Sequence, residues 1–246
     1  ATNIPTLDYY DLKIQPAGDS VTHTFLAGTS SVSKTFTVGN GTNTGIIVTA
    51  DTNGSGLDVA SISISANSTL IGDDVGEFTV GGNWLNNGSY THSSGTVIFA
   101  FTNTSSISGA TTFNNLTTTT AGKKLKFRAG QTFTFAGTLT STGTSGSKVR
   151  IESTASGSQW FAHFNGAQSA ITHTNIINSG CNPGTANATL DGTNIDSGNN
   201  GTCWFRFPNP NAGGGGQGGS GGNEGESGGG TPQGGGGQGG GGGESP

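Results

Sequence analysis

Four histidines are the first residues to consider for chemistry, because imidazole is both the commonest metal ligand and the commonest acid–base group in proteins. They are His23, His92, His163 and His173. His163 and His173 fall in adjacent predicted strands and could align in neighbouring coils of a stacked fold. No Cys, Asp or Glu lies close to them in sequence to complete a metal site. We therefore expect polar positions on a sheet face, with no metal and no cofactor.

The carboxylates form two groups that could also carry chemistry. Asp73, Asp74 and Glu77 make an acidic turn, but a calcium site needs several more oxygen ligands, so a solvated loop is favoured. Asp191 and Asp196 resemble the carboxylate pairs that glycosidases use, although cations and aromatic sugar platforms are sparse around them. The sequence also has no Gly-x-Ser-x-Gly elbow and no phosphate loop in a strand–helix context. It predicts no catalytic residue and no enzyme.

Cys181 and Cys203 are the two cysteines of the chain. In a secreted β protein we expect them to pair, and closing that loop would contribute roughly 3 kcal/mol; two buried free thiols are the alternative. The chain starts at Ala1 rather than Met, which is consistent with a mature secreted chain, although a trimmed chain would look the same. No run approaches the ~20 apolar residues of a transmembrane helix. These features predict a secreted protein, extracellular or at the cell surface, with no membrane-spanning segment.

Asn-x-Ser/Thr sequons are frequent, as expected for a chain this rich in Asn, Ser and Thr. If the source has extracellular N-glycosylation, those at predicted corners could be used. The candidate N-glycosylation sites are Asn40, Asn53, Asn67, Asn87, Asn103, Asn115, Asn187 and Asn200.

The composition limits which elements can hold these residues. Only 29% of the chain is hydrophobic and 9% is charged, Gly numbers 47 and Met is absent. Helix formers are scarce, whereas Thr, Val, Ile and Phe favour strands. A thin apolar supply suits a coiled or layered β structure in which each short strand points one or two residues inward.

The stretch Phe78–Phe99 shows this pattern most clearly. Apolar and aromatic side chains alternate with small polar ones, and Asn86, Asn87 and Gly88 supply a turn because Gly adopts positive φ freely. We expect the stretch to form middle coils of a short stack, with Trp84 pointing inward.

A weak internal repeat supports stacking. YYDLKIQPAG (Tyr9 to Gly18) matches FNNLTTTTAG (Phe113 to Gly122), and FTVGNGTNTGIIV further along matches LTSTGTSGSKVRI. Two copies of such a long arrangement predict a solenoid more than one irregular domain. The predicted fold is all-β, a short β-solenoid or β-helix-like stack, with a β-sandwich as the alternative.

The net charge of −5 is too small and too spread to suggest nucleic-acid binding. The densest basic run is KKLKFR, from Lys123 to Arg128, and a solvated strand face is its simplest interpretation. Asp8, Asp11 and Asp19 make the first residues acidic. Contact between these unlike regions of neighbouring copies is therefore conceivable.

Several of these segments together resemble the β-strand repeat regions of very large secreted surface proteins of environmental bacteria. They are GEFTVGGNWLNNGSYTHSSGTVIF, ISGATTFNNLTTTTAG, FAGTLTSTGTSGSKVRIESTASGSQWFAHFNGAQSAITHTNI and SGNNGTCWFRF. The resemblance runs from about Tyr9 to Phe207 and implies a right-handed parallel β-helix-like surface module. It implies no activity, because such regions are mostly stalks and adhesins.

The chain departs from that pattern by beginning in the middle of a unit, which predicts an unpaired coil at its N-terminal end. We expect another copy to cover this end, either by stacking of coils or by insertion of residues 1–14 as a strand. The residues expected at this assembly interface are Tyr9, Tyr10, Leu12, Ile14, Trp204, Phe205 and Phe207. For the last three, core filling and a terminal cap are the alternatives.

These observations predict three regions: a lead-in strand at 1–14, a solenoid domain at 15–211 and a Gly-rich tail at 212–246. The predicted function is that of a structural subunit of an extracellular filament or surface assembly, with copies of itself as partners and the tail packing between subunits. The alternative is an adhesin or carbohydrate-binding module that binds cell-surface glycans and shows a row of exposed aromatics. A β-helix polysaccharide enzyme is less favoured.

Overall fold

The computed structural model describes residues 2–49, 56–73, 77–168 and 170–204, and within them all helical or strand structure is β-strand. In chain order the strands are β1 (Thr2–Ile4), β2 (Asp8–Tyr9), β3 (Leu12–Ile14), β4 (Thr22–Phe25), β5 (Ser30–Val38), β6 (Ile46–Thr49), β7 (Leu57–Ile64), β8 (Ser68–Ile71), β9 (Glu77–Val80), β10 (Trp84–Asn86), β11 (Ser89–Thr91), β12 (Thr96–Phe99), β13 (Thr104–Ser108), β14 (Thr112–Phe113), β15 (Asn115–Thr118), β16 (Lys124–Phe127), β17 (Thr132–Phe135), β18 (Leu139–Thr142), β19 (Val149–Ser153), β20 (Trp160–Phe164), β21 (Ile171–Thr172), β22 (Thr174–Ile177), β23 (Ser179–Cys181) and β24 (Ile195–Asp196).

The strands wind into a β-solenoid of about eight turns, in which every strand pairs in parallel with strands of the neighbouring turns. Each turn takes roughly 20 to 30 residues and contributes to three faces. The first face contains β2, β9, β12, β15, β18, β21 and the N-terminal halves of β5 and β7. The second contains β3, β10, β13, β16, β19, β22, β24 and the C-terminal halves of β5 and β7. The third contains β1, β4, β6, β8 and β11, and then β14, β17, β20 and β23. The predicted all-β solenoid is therefore confirmed.

Alternation along each strand fills the interior. In β12, Val97 and Phe99 are buried while Thr96 and Ile98 face outward, as the two-residue period of a strand requires. Trp84 is fully buried, as expected. Paired positions in successive turns then place like residues on top of one another. An example is the aromatic column of Phe113, Phe135, Phe164 and Trp204, whose successive ring centroids are 6.3, 5.4 and 5.1 Å apart.

At the turn predicted for Asn86–Gly88, the structure gives a different reason for the glycine than the positive φ that we expected. Asn86 is buried in β10, and none of these three residues has positive φ. A Cβ on Gly88 would lie 2.3 Å from the carbonyl oxygens of both Ser65 and Ser68. Glycine is needed there because the backbone of the preceding turn approaches closely, and the expectation of positive φ was wrong.

The internal repeat does not connect equivalent positions of the solenoid. Leu12 lies on the second face, whereas Leu116, its match in the alignment, lies on the first. Phe36 likewise lies on the second face and its match Leu139 on the first. The alignment detects the common strand–corner–strand pattern, but displaced by one face.

Residues 2–14, which we expected to form one lead-in strand, form β1, β2 and β3 of the first turn and pair with β4 and β5. The tail at 212–246 lies outside the described residues. Within the described part of the chain, no helix is long and apolar enough to cross a membrane.

Candidate functional site

His163 and His173, considered together as metal ligands, lie at different positions of one turn, the first on a face and the second at a corner. His163 is in β20 on the third face, and its Nδ1 lies 3.3 Å from Asn182 Nδ2. His173 occupies the corner between β21 and β22 with φ of 47°. They do not align in neighbouring turns as expected. Among the described residues, no group of three or more His, Cys, Asp or Glu is arranged to hold a metal ion.

The carboxylate pair shapes local turns. Asp191 Oδ1 accepts hydrogen bonds from Thr193 N and Asn194 Nδ2, both at 3.0 Å. Asp196 Oδ1 accepts from Gly198 N at 2.8 Å and Asn200 Nδ2 at 2.7 Å. Both carboxylates are thus used as turn acceptors. Of the acidic turn, Asp73 is buried, Glu77 is exposed, and Asp74 lies outside the described residues.

Cys181 and Cys203 form the expected disulfide, with Cα atoms 5.8 Å apart. It ties β23 to the segment that closes the C-terminal end of the solenoid. The next residue, Trp204, is fully buried and packs on Trp160 and Phe164, with centroid separations of 6.0 and 5.1 Å. Its side chain therefore caps the core from inside, and it is not on the surface as an interface residue would be.

The other expected interface residues divide by position. Tyr9, Leu12 and Ile14 are partly buried against the core, whereas Tyr10 is 75% exposed. Phe205 and Phe207 lie outside the described residues.

The sequons differ in the freedom of their asparagines. Asn115 and Asn200 use both ends of the side-chain amide in hydrogen bonds to neighbouring turns, which a glycan on Nδ2 would disrupt. Those of Asn40, Asn67 and Asn87 are exposed. Asn103 is exposed as well, Asn187 is half-buried, and Asn53 lies outside the described residues.

The structure places its most unusual residues at one corner, between the first and second faces, which we call the first corner. In the first six turns it contains Tyr10, Ser33–Lys34, Ala60, Gly81–Asn83, Ala100–Asn103 and Thr119–Lys123. Phe101 has φ of 61° and is 65% exposed. Positive φ is rare for a bulky residue and exposure of its ring is unfavourable, so two costs coincide at one position.

Lys123 supports this corner from inside. Its side chain is fully buried, and Nζ donates to Ala100 O and Ser105 Oγ at 2.8 Å and to Gly81 O and Asn103 Oδ1 at 3.1 Å. The ammonium therefore joins its own turn to the two preceding turns. It also holds acceptors on both sides of Phe101, in Ala100 and Asn103, which fixes the strained loop.

The interpretation of Lys123–Arg128 as a solvated face is thus wrong for its first residue. Within β16, Lys124 and Lys126 point outward while Leu125 and Phe127 are buried, but Lys123 precedes the strand and turns into the corner. Burial lowers the pKa of Lys123 to about 8. Outside, the remaining cations are partly neutralised, since Glu152 pairs with Lys126 at 3.1 Å and with Arg150 at 2.6 Å.

A surface pocket of about 380 Å³ lies beside Phe101. Its lining includes Ser31, Ser33, Asp58, Ala60, Thr79 and Phe101. The register between β5 and β7 shifts between Val32 and Thr35, next to the pocket. Bulges of this kind are enriched near functional sites because they redirect side chains. The first corner therefore combines a pocket, a sheet irregularity and a strained exposed aromatic.

Neither Lys123 nor Phe101 stands out in the sequence as a functional residue. The sequence contains two weak signals. Lys123 breaks the alternation of basic and apolar residues in KKLKFR. Phe101 has the spacing of an inward residue, two positions after the buried Phe99, but it lies at the corner that follows that strand.

Comparison with protein-family models finds no match to this chain, and comparisons with curated proteins and with solved structures find none either. The parallel β stack is consistent with the β-helix-like repeats that the sequence resembles.

Proposed function

We propose that this chain is a structural subunit of an extracellular filament or surface assembly that grows head-to-tail by extending its own β-solenoid. The observation that carries the proposal is a pair of strand edges on the second face that have no partner among the described residues. Within the described residues, β3 pairs only with β5 at one end and β24 pairs only with β22 at the other. Stacking β24 of one copy on β3 of the next would continue the same parallel sheet, and such a heterologous contact does not close.

The backbone at the first turn is suited to this pairing. Gly39 N donates to Ile14 O at 2.8 Å, so Ile14 directs its hydrogen-bonding groups toward the second turn. In a parallel ladder alternate residues point to opposite sides, so the N–H and C=O of Lys13 face away from the solenoid. Pairing through these groups leaves the first turn in place, whereas insertion of residues 1–14 into a neighbour would require its removal.

The expected location adds support, but the charges of the two ends do not. Asp8 and Asp11 lie in the first turn and Asp191 and Asp196 in the last, whereas the outward basic side chains Lys124, Lys126, Arg128 and Arg150 lie in the turns between them. The disulfide and the resemblance to repeats of secreted surface proteins favour an extracellular location. In the same proposal, the Gly-rich tail at 212–246 packs between subunits.

Replacing Lys13 tests the proposal with little effect on the monomer. Proline is tolerated in an edge strand where the N–H faces outward, so Lys13→Pro removes one outward donor without breaking a bond to β5. We expect light scattering and electron microscopy to show concentration-dependent polymers for the unmodified chain and for the control Lys13→Thr, and a monomer for Lys13→Pro. A monomer in all three, or polymers in all three, would contradict the proposal.

A further inference from the structure

The pocket at the first corner lies between the two exposed aromatic residues of the described chain. Among the large hydrophobic side chains that are exposed there, Tyr10 and Phe101 are the aromatic ones, at 75% and 65%. Both occupy the first corner, in the first and fifth turns. At about 4.8 Å per turn their backbones are roughly 19 Å apart along the solenoid axis.

The Phe101 ring is held as a platform. A Cβ on Gly81 would lie 2.9 Å from Phe101 Cδ2, so the ring rests directly against the glycine backbone of the preceding turn. The ring is otherwise largely exposed and contributes to the lining of the pocket. Hydrogen bonds from Lys123 Nζ to Ala100 O and Asn103 Oδ1 keep the loop in this strained conformation. A costly conformation that presents an aromatic ring to water is typical of a ligand contact.

Hydroxyl and carboxylate groups line the space between the rings. Ser31, Ser33 and Thr79 contribute hydroxyls and Asp58 an exposed carboxylate. The Ser31 hydroxyl donates to Asp8 Oδ1 at 2.6 Å, so its lone pairs remain available to accept. Aromatic rings with a few polar groups between them match a ligand that has apolar faces and hydroxyl edges.

The charges of the groove do not favour an ion. Lys34 Nζ lies 5.7 Å from the centre of the Tyr10 ring, so the cation position on that ring is already occupied by the chain itself. Asp8, which accepts from Ser31, and Asp58 outnumber Lys34 by one charge, so the groove repels an anion. A neutral polyhydroxyl ligand, whose hydroxyls can donate to these carboxylates, fits the groove better than an anion or than a cation on the Tyr10 ring.

We propose that the first corner binds a neutral glycan, with Phe101 and Tyr10 stacking on sugar rings and with Asp58 and the hydroxyls of Ser31 and Ser33 bonding to sugar hydroxyls. The glycan runs along the corner across successive turns, where the ~4.8 Å spacing of strands is close to the length of one sugar unit. This activity goes beyond assembly and does not depend on it.

Affinity electrophoresis tests the proposal directly. The probes are neutral polysaccharides in native gels: β-1,4-, β-1,3-, α-1,4- and α-1,6-glucans, xylan and mannan. We expect at least one of them to retard the chain. Phe101→Asn should weaken that binding about tenfold, because it removes the ring while asparagine tolerates positive φ and keeps the loop. The double variant Phe101→Asn/Tyr10→Ser should show no retardation.

The control is Leu26→Ser, which removes an exposed apolar side chain at a different corner and should bind as the unmodified chain does. Repeating the gels with Lys13→Pro separates the two proposals, since that variant should bind glycan whether or not it polymerises. The proposal is overturned if no neutral polysaccharide retards the chain, if only anionic polysaccharides do, or if the double variant binds as the unmodified chain does. Far-ultraviolet circular dichroism confirms that each variant is folded.

Discussion

The C-terminal cap and the first corner each join several turns of the solenoid, but they use opposite chemistry. At the cap, Trp204 closes the core with an apolar ring against Trp160 and Phe164, and the Cys181–Cys203 disulfide holds the closing segment. At the first corner, the Lys123 ammonium joins three turns through four hydrogen bonds. Both side chains are fully buried.

The two kinds of contact contribute differently to the fold. Apolar contact at the cap is tolerant in direction and stabilises by excluding water. Hydrogen bonds at the corner are directional, and an isolated buried charge is unfavourable unless every partner is in place. We infer that the cap supplies stability, whereas Lys123 specifies one conformation of the Phe101 loop.

Trp204→Ala should have the largest effect on stability, because it removes the last ring of the aromatic column and opens the core at its end. We expect the free energy of unfolding to fall by about 3–5 kcal/mol, measured by denaturant titration. Trp204→Phe keeps most of the apolar contact and should lose less than half as much. Equal losses for the two variants would show that ring packing is not what closes this end.

Lys123→Met should cost less, about 2 kcal/mol in the same titration. Methionine fills the volume of the lysine stem but leaves the buried Gly81 carbonyl and its neighbours without their donor. The matched control is Lys124→Met, one position further and exposed, which should change stability by less than about 0.5 kcal/mol. If Lys123→Met proved more stable than the unmodified chain, the buried ammonium of Lys123 would destabilise the fold in spite of its four hydrogen bonds.

The strand alternation made the fold predictable. In Phe78–Phe99 the alternation of apolar and small polar residues predicted Trp84 as an inward position, and the structure places Trp84 at zero exposure. Alternation could not assign faces, because a strand on any face of a three-sided stack has the same period. That is why the internal repeat aligned Leu12 with Leu116 on a different face.

The unusual residues at the corner were not predictable for a different reason. Lysine is almost never fully buried, so a basic run is read as a solvated face. Two of the four acceptors of Lys123 are the backbone carbonyls of Gly81 and Ala100, and a carbonyl is present in every residue type, so the sequence does not indicate them. Trp204 was ambiguous for another reason, because an aromatic residue near the end of a stack is compatible with a cap and with an interface. Only the path of the chain at that end distinguishes the two roles.

The smallest effect we predict is a dependence of the free energy of unfolding on alkaline pH, which the first corner should show and the cap should not. Burial lowers the pKa of Lys123 to about 8, against 10.5 for the unfolded chain. Between these values the unfolded state binds a proton that the folded state has lost, so this group makes unfolding less favourable as pH rises. Its contribution to the free energy of unfolding should increase by at most about 1.4 kcal/mol per pH unit above pH 8.

The measurement is the difference in stability between the unmodified chain and Lys123→Met, followed from pH 7 to pH 9.5. Burial, followed by the nearby Asp73 carboxylate, raises the pKa of Tyr90, which lowers stability above pH 10 in both proteins and therefore cancels in the difference. Trp204→Ala contains no altered titratable group and should run parallel to the unmodified chain. A flat difference for Lys123→Met would mean that the four acceptors keep the ammonium charged through this range, so that hydrogen bonding at the corner outweighs the cost of burial.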